Sequence, residues 1–139
     1  MANVLAQPNR PVENWESQLN AWLADIEGVF QNAERWAARL QWTTKRDSKV
    51  ITEQSIGQYE APLLLIHAPQ GRLMLDPIAR FVGGAEGRID FCVMPSFDSA
   101  MLVKVDGGWR FSSNSRTDFD LPWSEESFAT VAAEMLKSQ

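Results

Sequence analysis

The sequence predicts an α+β fold in which a long N-terminal amphipathic helix and a C-terminal helix flank an antiparallel meander of five to six strands. Three patterns indicate this fold. An apolar seam with helical spacing fills the first third of the chain, strand-like segments separated by turn residues run from 50 to 113, and a second helical stripe lies near the end. The 139 residues, 45% of them hydrophobic, are enough for a single domain, 1–139, with its own core.

The N-terminal helix is predicted over residues 12–41, after an extended lead-in at 1–11. From Val12 the apolar positions recur at alternating steps of three and four residues, and they are Trp15, Leu19, Trp22, Ile26, Val29, Ala33, Trp36 and Leu40. A helix of about 29 residues is about 43 Å long, whereas a compact domain of this size is roughly 37 Å across. The excess predicts that a second copy or another protein covers one end, unless the helix breaks at Gly28.

The antiparallel sheet is predicted over residues 50–113. Its strands are expected at 50–56, 62–67, 72–78, 88–94, 100–105 and 109–112. Asp106 and Gly107 are typical of a tight hairpin turn, because both tolerate positive φ angles. The segment 62–67 is apolar on both faces, so we expect it to be central and covered on both sides.

The C-terminal part is predicted to be a loop over 114–123 and a helix over 124–137. Ser124 is a favourable N-cap, and Glu125 and Glu126 complement the positive end of the helix dipole. The loop contains Phe119 and Trp123, and aromatic residues in a long loop either pack on the body or make contacts with a partner.

Composition excludes several classes of function. The net charge of −5 argues against nucleic acid and against an anionic membrane surface as targets. One cysteine, Cys92, and one histidine, His67, leave no internal disulfide and no histidine-rich metal site. The chain shows no signal-peptide pattern, so a cytoplasmic location is expected. No cofactor and no bound metal are predicted, and no catalytic motif identifies an enzyme, although a thiolate of Cys92 paired with His67 is an open alternative.

The densest group of charged residues lies around two neighbouring strands, and it comprises Asp76, Arg80, Glu86, Arg88 and Asp90. Ion pairs on a solvated sheet face are the ordinary explanation, and a polar contact surface for a protein is the second. As a third, Asp76, Glu86 and Asp90 would hold a divalent metal through their carboxylates, with Lys104 nearby, as in magnesium-dependent nucleases. The chain departs from the nuclease pattern, because Leu102 stands where the first acid of the acid-x-lysine triplet belongs.

Two resemblances are confined to short or general features. The hairpin Asp-Gly-Gly-Trp-Arg-Phe, residues 106–111, resembles the late hairpin of cone-shaped folds of the NTF2 and cystatin type, although the C-terminal helix departs from those folds. The size, acidity and helix-sheet-helix order are similar to bacterial type III secretion chaperones, which implies binding of partner proteins as a dimer. Neither resemblance includes a motif that assigns the chain to a family.

The function expected from the sequence is that of a non-catalytic protein-interaction module. Such a module is an adaptor, a chaperone-like protein or a small subunit of a bacterial complex, and it acts as a homodimer or on another protein through the helix seam and the sheet face. The interface candidates are Trp15, Trp22, Val29, Trp36, Phe119 and Trp123. The alternatives are a metal-dependent hydrolase at Asp76, Glu86 and Asp90, and a small-ligand pocket between sheet and helix lined by Leu63, Leu65, Phe91 and Trp109.

Overall fold

Two helices and six strands make up the described chain. In the computed structural model, which describes residues 15–80, 86–112 and 120–137, helix α1 (Trp15–Arg39) precedes the strands and helix α2 (Glu125–Lys137) follows them. The strands are β1 (Thr43–Glu53), β2 (Gly57–Ala68), β3 (Gly71–Ala79), β4 (Arg88–Met94), β5 (Ser99–Val105) and β6 (Gly108–Ser112). They form one antiparallel sheet in chain order, so the predicted α+β fold is confirmed.

The first helix ends earlier than predicted, and the sheet begins earlier. Helix α1 ends at Arg39, Gln41 adopts a left-handed backbone with φ of 64°, and β1 starts at Thr43 instead of at residue 50. The reason is the register with β2, which runs without interruption from Thr43 opposite His67 to Glu53 opposite Gly57. The helix continues through Gly28, and its 25 described residues span about 37 Å. The overhang expected for a longer helix is therefore absent from the described part.

Both helices pack on the same face of the sheet. Phe128 of α2 contacts Phe91 of β4 at a centroid distance of 5.9 Å and Trp36 of α1 at 5.8 Å. Trp22 of α1 stacks on Trp109 of β6 at 6.3 Å. One hydrophobic core, with buried residues from both helices and all six strands, fills the space between helices and sheet.

The turns follow the predicted chemistry. Asp106 and Gly107 have φ angles of 53° and 80°, as a two-residue hairpin between β5 and β6 requires. At the start of α2, Ser124 Oγ accepts a hydrogen bond from the backbone N–H of Ser127 at 3.1 Å, which confirms the predicted N-cap.

The opposite face of the sheet, which we call the open face, carries the side chains that point away from the helices. Strict alternation along β3, β4 and β5 separates the two sets: Leu73, Leu75, Phe91 and Leu102 are fully buried, and their neighbours are on the open face. Leu63 and Leu65 of β2 are half-buried there. Among the described residues, segment 62–67 is not covered by a helix on both sides as expected, because α1 and α2 lie on the same face.

Candidate functional site

Two of the six interface candidates are core residues of their own chain. Trp22 is completely buried and Val29 is 2% exposed, so neither is available to a partner in the folded chain. This corrects the sequence prediction. A heptad seam fits a helix packed on a sheet as well as it fits a helix packed on another protein, and the pattern alone does not distinguish them.

A buried polar network surrounds Trp22. Its indole Nε1–H donates to Tyr59 Oη at 2.9 Å, and the Tyr59 hydroxyl donates to the carboxylate of Glu53, which also accepts the backbone N–H of Arg80 at 3.0 Å. Burial, and then the hydrogen bond to Glu53, raise the pKa of Tyr59 well above its ordinary value. The hydroxyl therefore stays a donor, and the network joins α1 to the β1–β2 hairpin.

Sequence reasoning missed this network, because its members are far apart in the chain. The alternation of buried and exposed residues along β2 shifts by one residue near Pro62. Before Pro62 the buried residues are Tyr59 and Ala61, and after it they are Leu64 and Ile66. Glu53 looks like a surface residue in the sequence, yet it is 9% exposed.

The remaining aromatic candidates divide into packed and exposed residues. Trp36 and Trp123 are half-buried and contact each other at a centroid distance of 5.0 Å. Trp123 belongs to a short segment that pairs with β6, through its N–H to the carbonyl of Trp109. Among the described residues, no acceptor lies within hydrogen-bond distance of its buried Nε1. Trp15 is 41% exposed at the start of α1, and Phe119 lies outside the described residues.

The charged candidates form ion pairs on the open face. Asp76 of β3 lies directly opposite Asp90 of β4 in the strand register. Lys49 Nζ binds Asp76 at 2.5 Å, and the Arg88 guanidinium forms two hydrogen bonds with Asp90, at 2.7 and 3.1 Å. Two carboxylates at opposed positions destabilise a sheet unless cations compensate them, and each has its own cation here.

The other members of the charged group point elsewhere. Arg80 Nη1 donates to the carbonyl of Glu86 at 2.9 Å, the Glu86 carboxylate accepts the N–H of Gly107, and Lys104 pairs with Asp25 of α1. Within the described ranges, no three metal-ligating side chains come together. Asp76, Glu86 and Asp90 therefore do not form the carboxylate set that the hydrolase alternative needs.

Cys92 lies on the open face but is 7% exposed. Burial, and then the charges of Asp90 and Asp76, raise the pKa of its thiol to about 12. At neutral pH the side chain is a thiol, and a thiol is a poor nucleophile. This argues against the Cys92–His67 alternative.

The residues expected to line a ligand pocket do not share a face. Phe91 is fully buried beneath the helices and Trp109 stacks on Trp22, whereas Leu63 and Leu65 are on the open face. They cannot enclose one cavity between sheet and helix. A depression of about 290 Å³ lies elsewhere, at the start of α2, between Leu121 and Thr130.

The open face combines apolar rows with charged residues. Leu65 lies opposite Met74, which lies opposite Cys92, and Met101 lies opposite Asp90. The half-buried apolar side chains of this face are Leu63, Leu65, Met74, Met101 and Val103. A solvated face of an antiparallel sheet ordinarily presents polar residues, so this apolar content calls for an explanation.

One corner of the open face is basic. His67 lies between Thr43 and Arg72 in the register, and Lys45 lies opposite Leu65. We call Lys45, His67 and Arg72 the basic corner. All three are exposed, and among the described residues none of them forms an ion pair. Phe97, which is 62% exposed in the adjacent β4–β5 turn, adds an apolar side chain at this end of the sheet.

Comparisons with protein families, with characterised proteins and with solved structures find no match to this chain. Neither α1 nor α2 is both long and apolar enough to cross a membrane. The function must therefore be argued from the residues of the chain itself.

Proposed function

We propose that this chain is a non-catalytic protein-interaction module that binds a partner on the open face of its sheet. The observation that carries the proposal is the group of half-buried apolar residues on that face, Leu63, Leu65, Met74, Met101 and Val103. An adaptor, a chaperone-like protein or a small subunit of a bacterial complex would use such a face, and we include a cytoplasmic location in the proposal.

The dimensions of the face suit this role. Six strands at a spacing of about 4.8 Å span about 24 Å, and seven residues along a strand span about 23 Å, which gives roughly 550 Å² of flat area. One partner in a standard protein interface contributes about 800 Å² of accessible surface, and a corrugated face of this size approaches that area.

The ion pairs on the face are compatible with docking. Side chains of Asp76 and Asp90 are 23% and 15% exposed, and each is already neutralised by a cation of the same chain. Covering them with a partner therefore leaves no unpaired charge behind, which is the condition for burying charged groups at low cost.

Site-specific photo-crosslinking in the native source tests the proposal. p-Benzoylphenylalanine in place of Leu65 is expected to give a covalent adduct with one protein species, which mass spectrometry identifies. The matched control places the same group at Ala38, an exposed position of α1, where we expect no adduct. Met101→Lys, introduced with the crosslinker at position 65, should remove the adduct without unfolding the chain.

Two results would contradict the proposal. One is the absence of any adduct from position 65 while the protein is folded and abundant. The other is an equal adduct from Ala38, because the contact would then not belong to the open face. A self-adduct from position 65 would mean that the partner is a second copy.

A further inference from the structure

We infer that the partner docks with an acidic amphipathic segment, whose apolar residues contact Leu65 and Met74 and whose carboxylates reach the basic corner. This inference rests on the proposed function and adds the chemistry of the partner. It begins from the adjacency of apolar and cationic side chains: Lys45 is opposite Leu65, and Arg72 is next but one to Met74 along β3.

The charge of the basic corner differs from that of the rest of the open face. Elsewhere on this face the cations form ion pairs: Lys49 with Asp76, Arg88 with Asp90, and Arg110 with Asp120. Lys45 and Arg72 form no ion pair among the described residues, although Asp47 lies two positions from Lys45 along β1. The available positive charge is therefore concentrated beside Leu65 and Met74.

The helical layer has the opposite charge. Helices α1 and α2 together contain seven carboxylates and three cationic side chains, and the whole chain has a net charge of −5. At long range the net negative charge repels an acidic partner, so the basic corner attracts a carboxylate-bearing segment only locally, within about 10 Å of its side chains. Two copies that met with their twofold axis at the basic corner would bring the cations of one copy against the cations of the other, so a different chain with carboxylates suits this corner better than a second copy.

Apolar contact and charge act together in such a site. Leu65, Met74 and Met94 provide area to be buried, and a methionine adapts its shape to an incoming side chain. Lys45, His67 and Arg72 supply donors for carboxylates at the edge of that area. A segment that repeats two apolar and two acidic residues presents both kinds of group on the same side of an extended strand, because successive side chains point to opposite faces.

Three synthetic peptides of 12 residues test the inference. One repeats Leu-Leu-Glu-Glu, one repeats Leu-Leu-Lys-Lys, and one repeats Ser-Ser-Glu-Glu, and we call them the Leu-Glu, Leu-Lys and Ser-Glu peptides. With ¹³C-methyl methionine labelling, the Leu-Glu peptide is expected to shift the Met74 and Met94 signals. We expect at least tenfold weaker binding for each of the other two, since one has the wrong charge and the other lacks apolar side chains.

Matched variants separate this site from general electrostatic attraction. Lys45→Glu with Arg72→Glu should weaken Leu-Glu binding at least tenfold. Arg35→Glu with Lys137→Glu removes the same number of exposed cations from the helices and should leave the affinity within twofold. An equal loss in both double variants would overturn the inference, because the peptide would then respond only to net charge.

The crosslinked native partner distinguishes failure of this inference from failure of the proposed function. An adduct at position 65 through an acidic amphipathic segment supports both. An adduct through a basic or uncharged segment, or through a second copy, overturns the inference and leaves protein binding at the open face in place. Equal binding of the Leu-Lys and Leu-Glu peptides, or no binding of either at millimolar concentration, also overturns the inference.

Discussion

At the scale of single residues, two glycines illustrate how the environment decides the effect of a substitution. Gly28 lies in the middle of α1 on its exposed side, and no atom lies within 4 Å of the position that a Cβ would occupy. A Cβ on Gly87 would lie 2.6 Å from Cζ3 of Trp22, which is completely buried and hydrogen-bonded to Tyr59.

We therefore predict opposite effects for the same change at these positions. Gly28→Ala should raise the free energy of unfolding by about 1 kcal/mol, because alanine is the better helix former and meets no obstacle. Gly87→Ala should lower it by about 1–3 kcal/mol, because Trp22 must shift inside a packed core. Urea unfolding measures both values. Stabilisation by Gly87→Ala would contradict the contact between Gly87 and Trp22.

The sequence indicated part of this residue-scale arrangement. The strand 88–94 was predicted with its observed bounds, since Ile89, Phe91 and Val93 alternate with polar residues. The contact between Trp22 and Gly87, like the hydrogen bonds to Tyr59 and Glu53, joins residues that are distant in the chain. No local pattern contains that information, because it depends on where the elements pack.

At the scale of elements, Arg46 joins strand β1 to helix α1. Its guanidinium binds Glu27 through two hydrogen bonds, at 3.0 and 2.9 Å, and Glu34 through two more, at 2.8 and 3.0 Å, while it lies 5.3 Å from the ring centroid of Phe30. These bonds lower the pKa of Glu27 and raise that of Arg46. On the other flank of the helix, Lys104 of β5 binds Asp25 at 2.9 Å.

The lowered pKa of Glu27 predicts how stability changes in acid. A carboxyl whose folded pKa is depressed stabilises the fold above its unfolded pKa, near 4.5, and this contribution is lost as the pH falls through the folded value. The free energy of unfolding should therefore decrease below pH 4.5, and less steeply in Glu27→Gln. Glu60→Gln, at an exposed position of β2, is the control. An acid response of Glu27→Gln as steep as that of the unchanged chain would contradict the role of Glu27.

The sequence prediction placed the start of the first strand too late in the chain. The first strand was expected from residue 50, whereas β1 begins at Thr43. Residues 43–49 read Thr-Thr-Lys-Arg-Asp-Ser-Lys, without the apolar alternation that marks a half-buried strand. They form a strand because they pair with β2, and their polar side chains suit the edge of a sheet.

At the scale of the whole molecule, the described residues form two layers, and both of their helices lie on one face of the sheet. The sequence pattern predicted the helical layer and the sheet, because apolar residues recur about every 3.6 positions in a helix and every second position in a strand. It did not predict which side of the sheet the helices would leave open. The side on which the helices pack explains why Trp22 and Val29 are core residues, whereas Leu63 and Leu65 are only half-buried.

Adjacent leucines of β2 give the sharpest test of this arrangement. Leu64 is completely buried and Leu65 is half-buried on the open face, so the two side chains lie on opposite sides of one strand. Leu64→Lys should lower the free energy of unfolding by about 3–5 kcal/mol or prevent folding, because it buries an unpaired charge and removes a core side chain. Leu65→Lys should lower it by about 1 kcal/mol at most, because the ammonium group reaches water along the face.

Thermal unfolding followed by circular dichroism measures the difference between the two variants. If both leucines proved equally intolerant of lysine, the open face would be covered in the isolated chain, and the proposed docking surface would be lost with it. If only Leu64→Lys unfolds the chain, the apolar side chain of Leu65 is not required for folding. That result agrees with the proposed contact of Leu65 with a partner, and Leu65→Lys should remove this contact from a protein that is still folded.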